Sequence, residues 1–254
     1  PMRTNTAKAK LKSGEAIYGC FVRTPDPSLV EFLGYQGWDF MIFDGEHGTL
    51  SVRDCEDMTR AAELRGVTPL VRATVNQPHI LLRFLDTGVQ GAHVPWVNSG
   101  AEAEAAIQAI KYGPRGVRGL GGVRATTYGQ AMSFGDYVPK ANAETLSVIH
   151  IETVEAVNAL PDILAVPDVD VVFIGPTDLS QSLGVPGQNN HPAVLEQIDR
   201  IFEMTLKTDV AVGTIAKDAA AARQWAERGA RYMVITLEGI LGPACRDYLK
   251  AVRA

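Results

Sequence analysis

Short apolar runs rich in β-branched residues recur along the chain, separated by longer stretches whose apolar positions repeat with a helical period. Eight runs stand out: IYGCFV (17–22), DFMIFD (39–44), TPLVRA (68–73), GAHVPW (91–96), LSVIHIE (146–152), VDVVFIG (169–175), DVAVGTIA (209–216) and RYMVITL (231–237). Continuous apolar runs of this length read as strands buried on both faces, as in parallel sheets. Between the second and third runs, SVRDCEDMTRAAELRG reads as an amphipathic helix that turns Val52, Cys55, Met58, Ala62 and Leu64 toward the sheet. PDPS supplies a cap for the helix after the first run, and the Gly of AERGARY stops the one before the last. Strand-helix alternation predicts an α/β fold, and eight units in 254 residues fit a (β/α)8 TIM barrel better than an open sheet. No linker divides the chain, so a single barrel domain over 1–254 is expected.

Two segments depart from this regularity. The interval between the fourth and fifth runs is long and contains KYGPRGVRGLGGVRATTYG, Lys111 to Gly129. Its Gly and Arg content suits an anion, but the spacing fits neither a P-loop nor a dinucleotide fingerprint, and it reads as a loop over one barrel mouth. The last helix, at about 240–252, carries Leu241, Leu249 and Val252, which need something to pack against.

Composition narrows the function. With 24 Lys and Arg against 29 Asp and Glu the formal charge is −5, and no segment concentrates basic residues as a nucleic-acid groove or membrane-surface helix requires. No run approaches the ~20 apolar residues of a membrane span, and the N-terminal segment lacks the apolar core of a secretory signal. Cys20, Cys55 and Cys245 are odd in number and widely spaced, which argues against a disulfide framework or a zinc site and fits a reducing, cytoplasmic setting. Chemistry on small molecules is the expectation.

The ends of the strands carry that chemistry, because barrel active sites form at the C-terminal ends. In FMIFDGEHGTL a buried strand stops at Asp44, Glu46 and His47, groups that are costly to desolvate unless paired or bound. Arg72 ends the third run, Glu152 closes the fifth, and Asp178 follows the sixth in IGPTDLS. Each has a structural alternative: Arg72 as the partner of a carboxylate, Glu152 as the cap of TVEAVNAL, Asp178 as the cap of TDLSQS. Asp44, Glu152 and Asp178 with His47 and Arg72 gather three carboxylates, a His and an Arg at one mouth, an arrangement that calls for a cation or an anionic ligand. Glu152 and Asp178 suit a hard divalent cation, Arg72 a planar anion or an enolate oxygen, and His47 beside Asp44 a general base. No lysine stands where a Schiff base would need it; Lys217 follows the seventh run in AKDAAAARQW and reads as solvated.

The segments GWDFMIFDGEHG, PLVRATVNQPHILLRFLDTGVQG, KYGPRGVRG, IHIETVEAVNALPDILAVPDVDVVFIGPTDLSQSLG and HPAV closely resemble the HpcH/HpaI family of class II pyruvate aldolases. The resemblance implies a (β/α)8 barrel whose last helix is exchanged between subunits, commonly in a hexamer built as a trimer of dimers. It implies a divalent cofactor (Mg2+, Mn2+ or Co2+) held by Glu152 and Asp178, with His47 as proton acceptor, Asp44 as its partner and Arg72 stabilising a metal-bound pyruvate enolate. It assigns Asp86 to the active-site His of an adjacent subunit, and puts Thr177 and Gly175 beside pyruvate. The chain departs from the family at His150, where Gln is common beside the ligand Glu but which is still expected at the substrate; at Phe21, where some relatives carry Trp; and at Arg23. The implied reaction is reversible cleavage of a 4-hydroxy-2-oxo acid to pyruvate and an aldehyde. An oxaloacetate decarboxylase, an acyl-CoA lyase or a non-catalytic binding barrel are the alternatives.

Overall fold

The computed structural model describes residues 3–253. Its strands are β1 (Ile17–Val22), β2 (Phe40–Asp44), β3 (Thr68–Arg72), β4 (Gly91–Val94), β5 (Leu146–Ile151), β6 (Val171–Ile174), β7 (Ala211–Ile215) and β8 (Tyr232–Thr236). All pairings are parallel and follow chain order, and β8 returns to β1 with Gly19 opposite Val234, so the sheet closes as a (β/α)8 barrel. Every expected run became a strand, trimmed by one or two residues at some ends.

Alternation along each strand sorts side chains into two cores. Phe40, Ile42, Leu70, Leu146, Val148, Val171, Phe173, Tyr232 and Val234 fill the barrel interior. Their neighbours Met41, Phe43, Val71, Ile149, Ile151, Val172 and Met233 point outward and pack under the helices. Large rings inside demand small residues opposite: a Cβ on Gly19 would lie 2.1 Å from the Phe40 ring. Phe40 itself stacks on Tyr232 with centroids 4.3 Å apart.

Helix starts follow the expected chemistry. Asp26 caps Pro27–Gly34 by accepting from the amides of Ser28 and Leu29. Ser51 and Asp54 form a capping box on Val52–Leu64. That helix buries Cys55, Met58 and Ala62 as expected, but Leu64 is 67% exposed because it lies in the last turn, beyond the sheet. A helix that the sequence pattern did not announce, Thr6–Lys12, precedes β1 and adds Ala7 and Leu11 to the interior core, stoppering the N-terminal end of the barrel.

The long loop is held at one mouth of the barrel. Arg118 reaches Asp86 at 3.2 Å, and Arg124 binds Glu63 and the Thr87 carbonyl. These partners sit where the helices Val52–Leu64 and Pro78–Leu85 end, and helices antiparallel to the strands end at the N-terminal side of the barrel. The loop therefore lines the rim opposite the strand ends that carry Asp44, Arg72 and Glu152.

The final helix runs Leu237–Arg253, starting three residues earlier than expected because it follows β8 directly, with the Gly239 amide donating to Thr236 Oγ1 at 3.1 Å. Leu241, Tyr248, Leu249 and Val252 on it are exposed. Beside its start an apolar groove of about 410 Å³, lined by Tyr18, Trp38, Met233, Ile235 and Ile240, lies over β8 and β1. The three cysteines are free, and no helix among the described residues is long and apolar enough to cross a membrane.

Candidate active site

The two-residue period of the strands decides which polar groups meet. In β5, Leu146 and Val148 face inward, so His150 and Glu152 do too; Asp44 and Arg72 are opposed in register at the ends of β2 and β3. A cavity of about 200 Å³ opens there, lined by Phe21, Arg23, His47, Arg72, His150, Glu152, Phe173, Ile215 and the segment Gly175, Pro176, Thr177, Asp178.

Asp44 is fully buried and organises one side. Arg72 grips it with two bonds, Nε to Oδ1 at 2.9 Å and Nη2 to Oδ2 at 2.5 Å, while Arg23 Nε adds a third at 3.1 Å. Burial opposes its ionisation, but these guanidinium contacts win and hold its carboxyl below the usual range. The expected pairing of Asp44 with the His47 imidazole is corrected: Asp44 accepts the backbone amides of Glu46 and His47, each at 3.1 Å, and its oxygens are otherwise given to arginine. A bidentate guanidinium in the interior outcompetes a single imidazole N–H. The structural alternative for Arg72 thus holds alongside a chemical one.

Glu46 completes the Arg72 cage, with Oε2 3.0 Å from Nη1, and accepts the Trp96 indole N–H on Oε1 at 3.0 Å. Burial is the main cause that pushes its carboxyl above the usual range, with the charge of Glu152 adding to it. Arg72 lies face-on to Phe21, its Cζ 4.7 Å from the ring centroid. Three of the five guanidinium N–H groups are committed, which leaves two for a ligand. His47 stands exposed at the mouth and lines the cavity together with Asp178.

Glu152 is buried on the opposite wall. Its Oε1 accepts the Trp96 amide at 2.8 Å and its Oε2 faces His150 Nδ1 at 3.2 Å. Trp96 can offer that amide because its backbone is left-handed, with φ 55°. Burial disfavours the Glu152 anion, but the His150 ring, the Trp96 amide and Arg72 together hold its carboxyl below the usual range. The capping alternative fails here: Thr153, not Glu152, caps the following helix by accepting the Ala156 amide. Gly175 leaves the room Glu152 needs, since a Cβ there would come within 2.7 Å of Oε2.

Asp178 sits in the first turn of Pro176–Ser182 and makes no side-chain cap. Burial first, and then the charge of Glu152, raise its carboxyl above the usual range. A Glu152 carboxylate whose charge disfavours the ionised form of Asp178, in a cavity with an arginine already matched to other anions, fits a hard cation. No group of three or more ligating side chains occurs among the described residues, so such a cation would draw its other ligands from water and substrate.

Two expected site residues are placed otherwise. His150 lines the cavity, but its Nδ1 faces Glu152 and its Nε2 lies 3.0 Å from His93 Nδ1, so neither ring nitrogen is left for a substrate. Asp86 caps the end of Pro78–Leu85 at the opposite rim, bound to Arg118, and within one chain it does not join the site. Thr177 and Gly175 are at the cavity, and Lys217 is exposed outside it. Glu46, Trp96 and His93 were given no role from sequence; the signal that could have found His93 is a histidine at an inward position of a buried strand.

Comparison with known proteins agrees with this geometry. The sequence pattern of HpcH/HpaI aldolase/citrate lyase matches residues 17–241. A hydroxypyruvate/pyruvate aldolase of Roseobacter denitrificans is 33% identical over 240 residues, covering 94% of this chain and 93% of the relative. A 4-hydroxy-2-oxo-heptane-1,7-dioate aldolase of Escherichia coli is 33% identical over 249 residues, covering 97% and 94%. The crystal structure of an HpcH/HpaI aldolase/citrate lyase family protein from Burkholderia cenocepacia superposes with a TM-score of 0.94 at 32% identity, covering 99% of this chain and 100% of that one. With the family pattern spanning all eight strands, and relatives matched along nearly their whole length, the chain belongs to the HpcH/HpaI aldolase/citrate lyase family.

Proposed function

We propose that this carbon-carbon lyase is a divalent-metal-dependent aldolase that reversibly cleaves a 4-hydroxy-2-oxo acid into pyruvate and an aldehyde. The observation that carries the reading is the meeting of Glu152 and Asp178 with the half-committed guanidinium of Arg72 in one small cavity at the strand ends. The aldolases named among its relatives support the reaction class. Glu152 and Asp178 would hold Mg2+, Mn2+ or Co2+, which when bound supplies Lewis-acid polarisation of the 2-oxo group.

The chain's own residues account for the rest. Arg72, fixed by Asp44 and Glu46, turns its two remaining N–H groups toward the 2-oxo oxygen and stabilises negative charge that develops there. In the cleavage direction His47 accepts the proton of the 4-hydroxyl as the bond between C3 and C4 breaks. His47 then returns that proton, directly or through a water, to the C3 carbon, which becomes the methyl group of pyruvate. Phe21 and Phe173, T-shaped with centroids 6.1 Å apart, exclude water from the inner side of the cavity.

Assembly follows from the last helix. Its exposed apolar side chains and the apolar groove over β8 and β1 support exchange of this helix with a second copy, in a hexamer built as a trimer of dimers, which would also deliver Asp86 to a neighbour's site. Free cysteines suit a cytoplasmic enzyme. Chelation tests the function: aldol cleavage should vanish in excess chelator and return with Mn2+, whereas full activity in protein shown to be metal-free would sink it.

A further inference from the structure

Four groups in series cross the barrel interior, and the reaction described above uses only the last. Tyr232 on β8 has its hydroxyl 2.7 Å from His93 Nε2 on β4. His93 Nδ1 is 3.0 Å from His150 Nε2 on β5, and His150 Nδ1 is 3.2 Å from Glu152 Oε2. None is more than 2% exposed, and Phe173 packs on both imidazoles with centroids 5.4 and 4.9 Å away. Water does not compete for these bonds.

Donor and acceptor capacities set the direction of the chain. A carboxylate only accepts, so the hydrogen between His150 and Glu152 is on Nδ1. A neutral His150 then offers a lone pair at Nε2, which takes the N–H of His93 Nδ1. That leaves a lone pair at His93 Nε2 for the phenol hydrogen of Tyr232. Every link has one donor and one acceptor. In the reverse order the Tyr232 hydrogen would have no acceptor among the described residues, and a buried, unsatisfied hydroxyl is costly. Burial favours the same order, because it disfavours the charged forms of both Tyr232 and His93.

We propose that Tyr232 and His93 are positioning residues that hold the His150 ring, in the tautomer its bond to Glu152 sets, so that its Nδ1–H clamps one oxygen of Glu152 while the Trp96 amide clamps the other. The carboxylate then presents its free lone pairs to the cation in one orientation, as outer-shell partners do in metal sites. This rests on the reading of Glu152 as a ligand.

The test uses metal-free full-length protein, titrated with Mn2+ by calorimetry, together with ¹⁵N NMR of labelled histidine rings. Tyr232→Phe keeps the ring stacked on Phe40 but removes the donor to His93 Nε2; Mn2+ affinity should fall about 10- to 100-fold, with the ring resonances of both His93 and His150 shifting as their hold loosens. His93→Gln, whose amide offers a donor and an acceptor, should bind more tightly than His93→Leu, and this pair decides the matter if Tyr232→Phe does not fold. Wild-type Mn2+ affinity in Tyr232→Phe, or equal affinities in the two His93 variants, would overturn the proposal. Wild-type protein that binds no Mn2+ would instead overturn the ligand reading of Glu152, and the ring shifts of Tyr232→Phe would still decide the positioning role, since unchanged His150 resonances would overturn it.

Discussion

Replacing Asp44 by Asn changes one atom and separates the two arginines from the charge that holds them. Asp44 has no solvent exposure and accepts from Arg72 twice, from Arg23 once and from two backbone amides. An Asn oxygen can keep the amides, but its NH2 then points at guanidinium donors, and Arg72 is left with Glu46 alone. Breaking a buried pair on one side costs about 3–5 kcal/mol. For a chain of this size each kcal/mol lowers Tm by about 2–4 °C, so calorimetry should show a fall of about 6–20 °C. Arg72, freed to swing, should also lose its aim, and deuterium exchange into the methyl group of pyruvate should slow on the order of 10²-fold. The pH dependence has a definite sign. Because the folded state holds the Asp44 carboxyl below its unfolded value of about 3.9, its contribution is fully present above that value and is lost as pH falls through the folded pKa. The gap in stability between wild type and variant should therefore be constant at neutral pH and shrink below about pH 4. A variant with unchanged Tm and unchanged methyl exchange would refute the claim that Asp44 anchors Arg72.

Further expectations concern other parts of the site. His47→Ala should keep Mn2+ and pyruvate binding but slow methyl exchange and aldol cleavage by roughly 10²- to 10⁴-fold, and exchange as fast as wild type would require another base. Arg72→Ala should lower both turnover and pyruvate affinity, which steady-state kinetics separates from the His47 effect. Asp178→Asn should raise the Tm of the metal-free protein, because burial and Glu152 both disfavour its charge, while abolishing Mn2+ binding; a lower Tm would count against the like-charge argument. Removing residues 240–254 should disrupt assembly in light scattering, since Leu241, Leu249 and Val252 on this helix are exposed in the single chain.

Much of this protein is legible in its sequence because strand burial and alternation are local properties. Eight apolar runs predict eight strands, and a residue's position along its strand already tells that Asp44, Arg72 and Glu152 stand at one end of the barrel. The capping of Pro27–Gly34 by Asp26 and the stop after Glu227 are likewise written in a few adjacent residues. What only the tertiary structure decided are partnerships across the barrel. Asp44 belongs to Arg72 and Arg23 rather than to the nearby His47 ring, because the neighbouring strands bring two guanidinium groups onto a carboxylate that is cut off from water. The helix Thr6–Lys12 is short and weakly patterned, and it forms because the open end of the barrel offers Ala7 and Leu11 a place to bury. The contact of His93 with Tyr232 joins residues 139 positions apart, and no local period foretells it. Closure of the sheet brings β4, β5 and β8 around one axis, and the shortage of water there turns three ordinary side chains into a single hydrogen-bonded line.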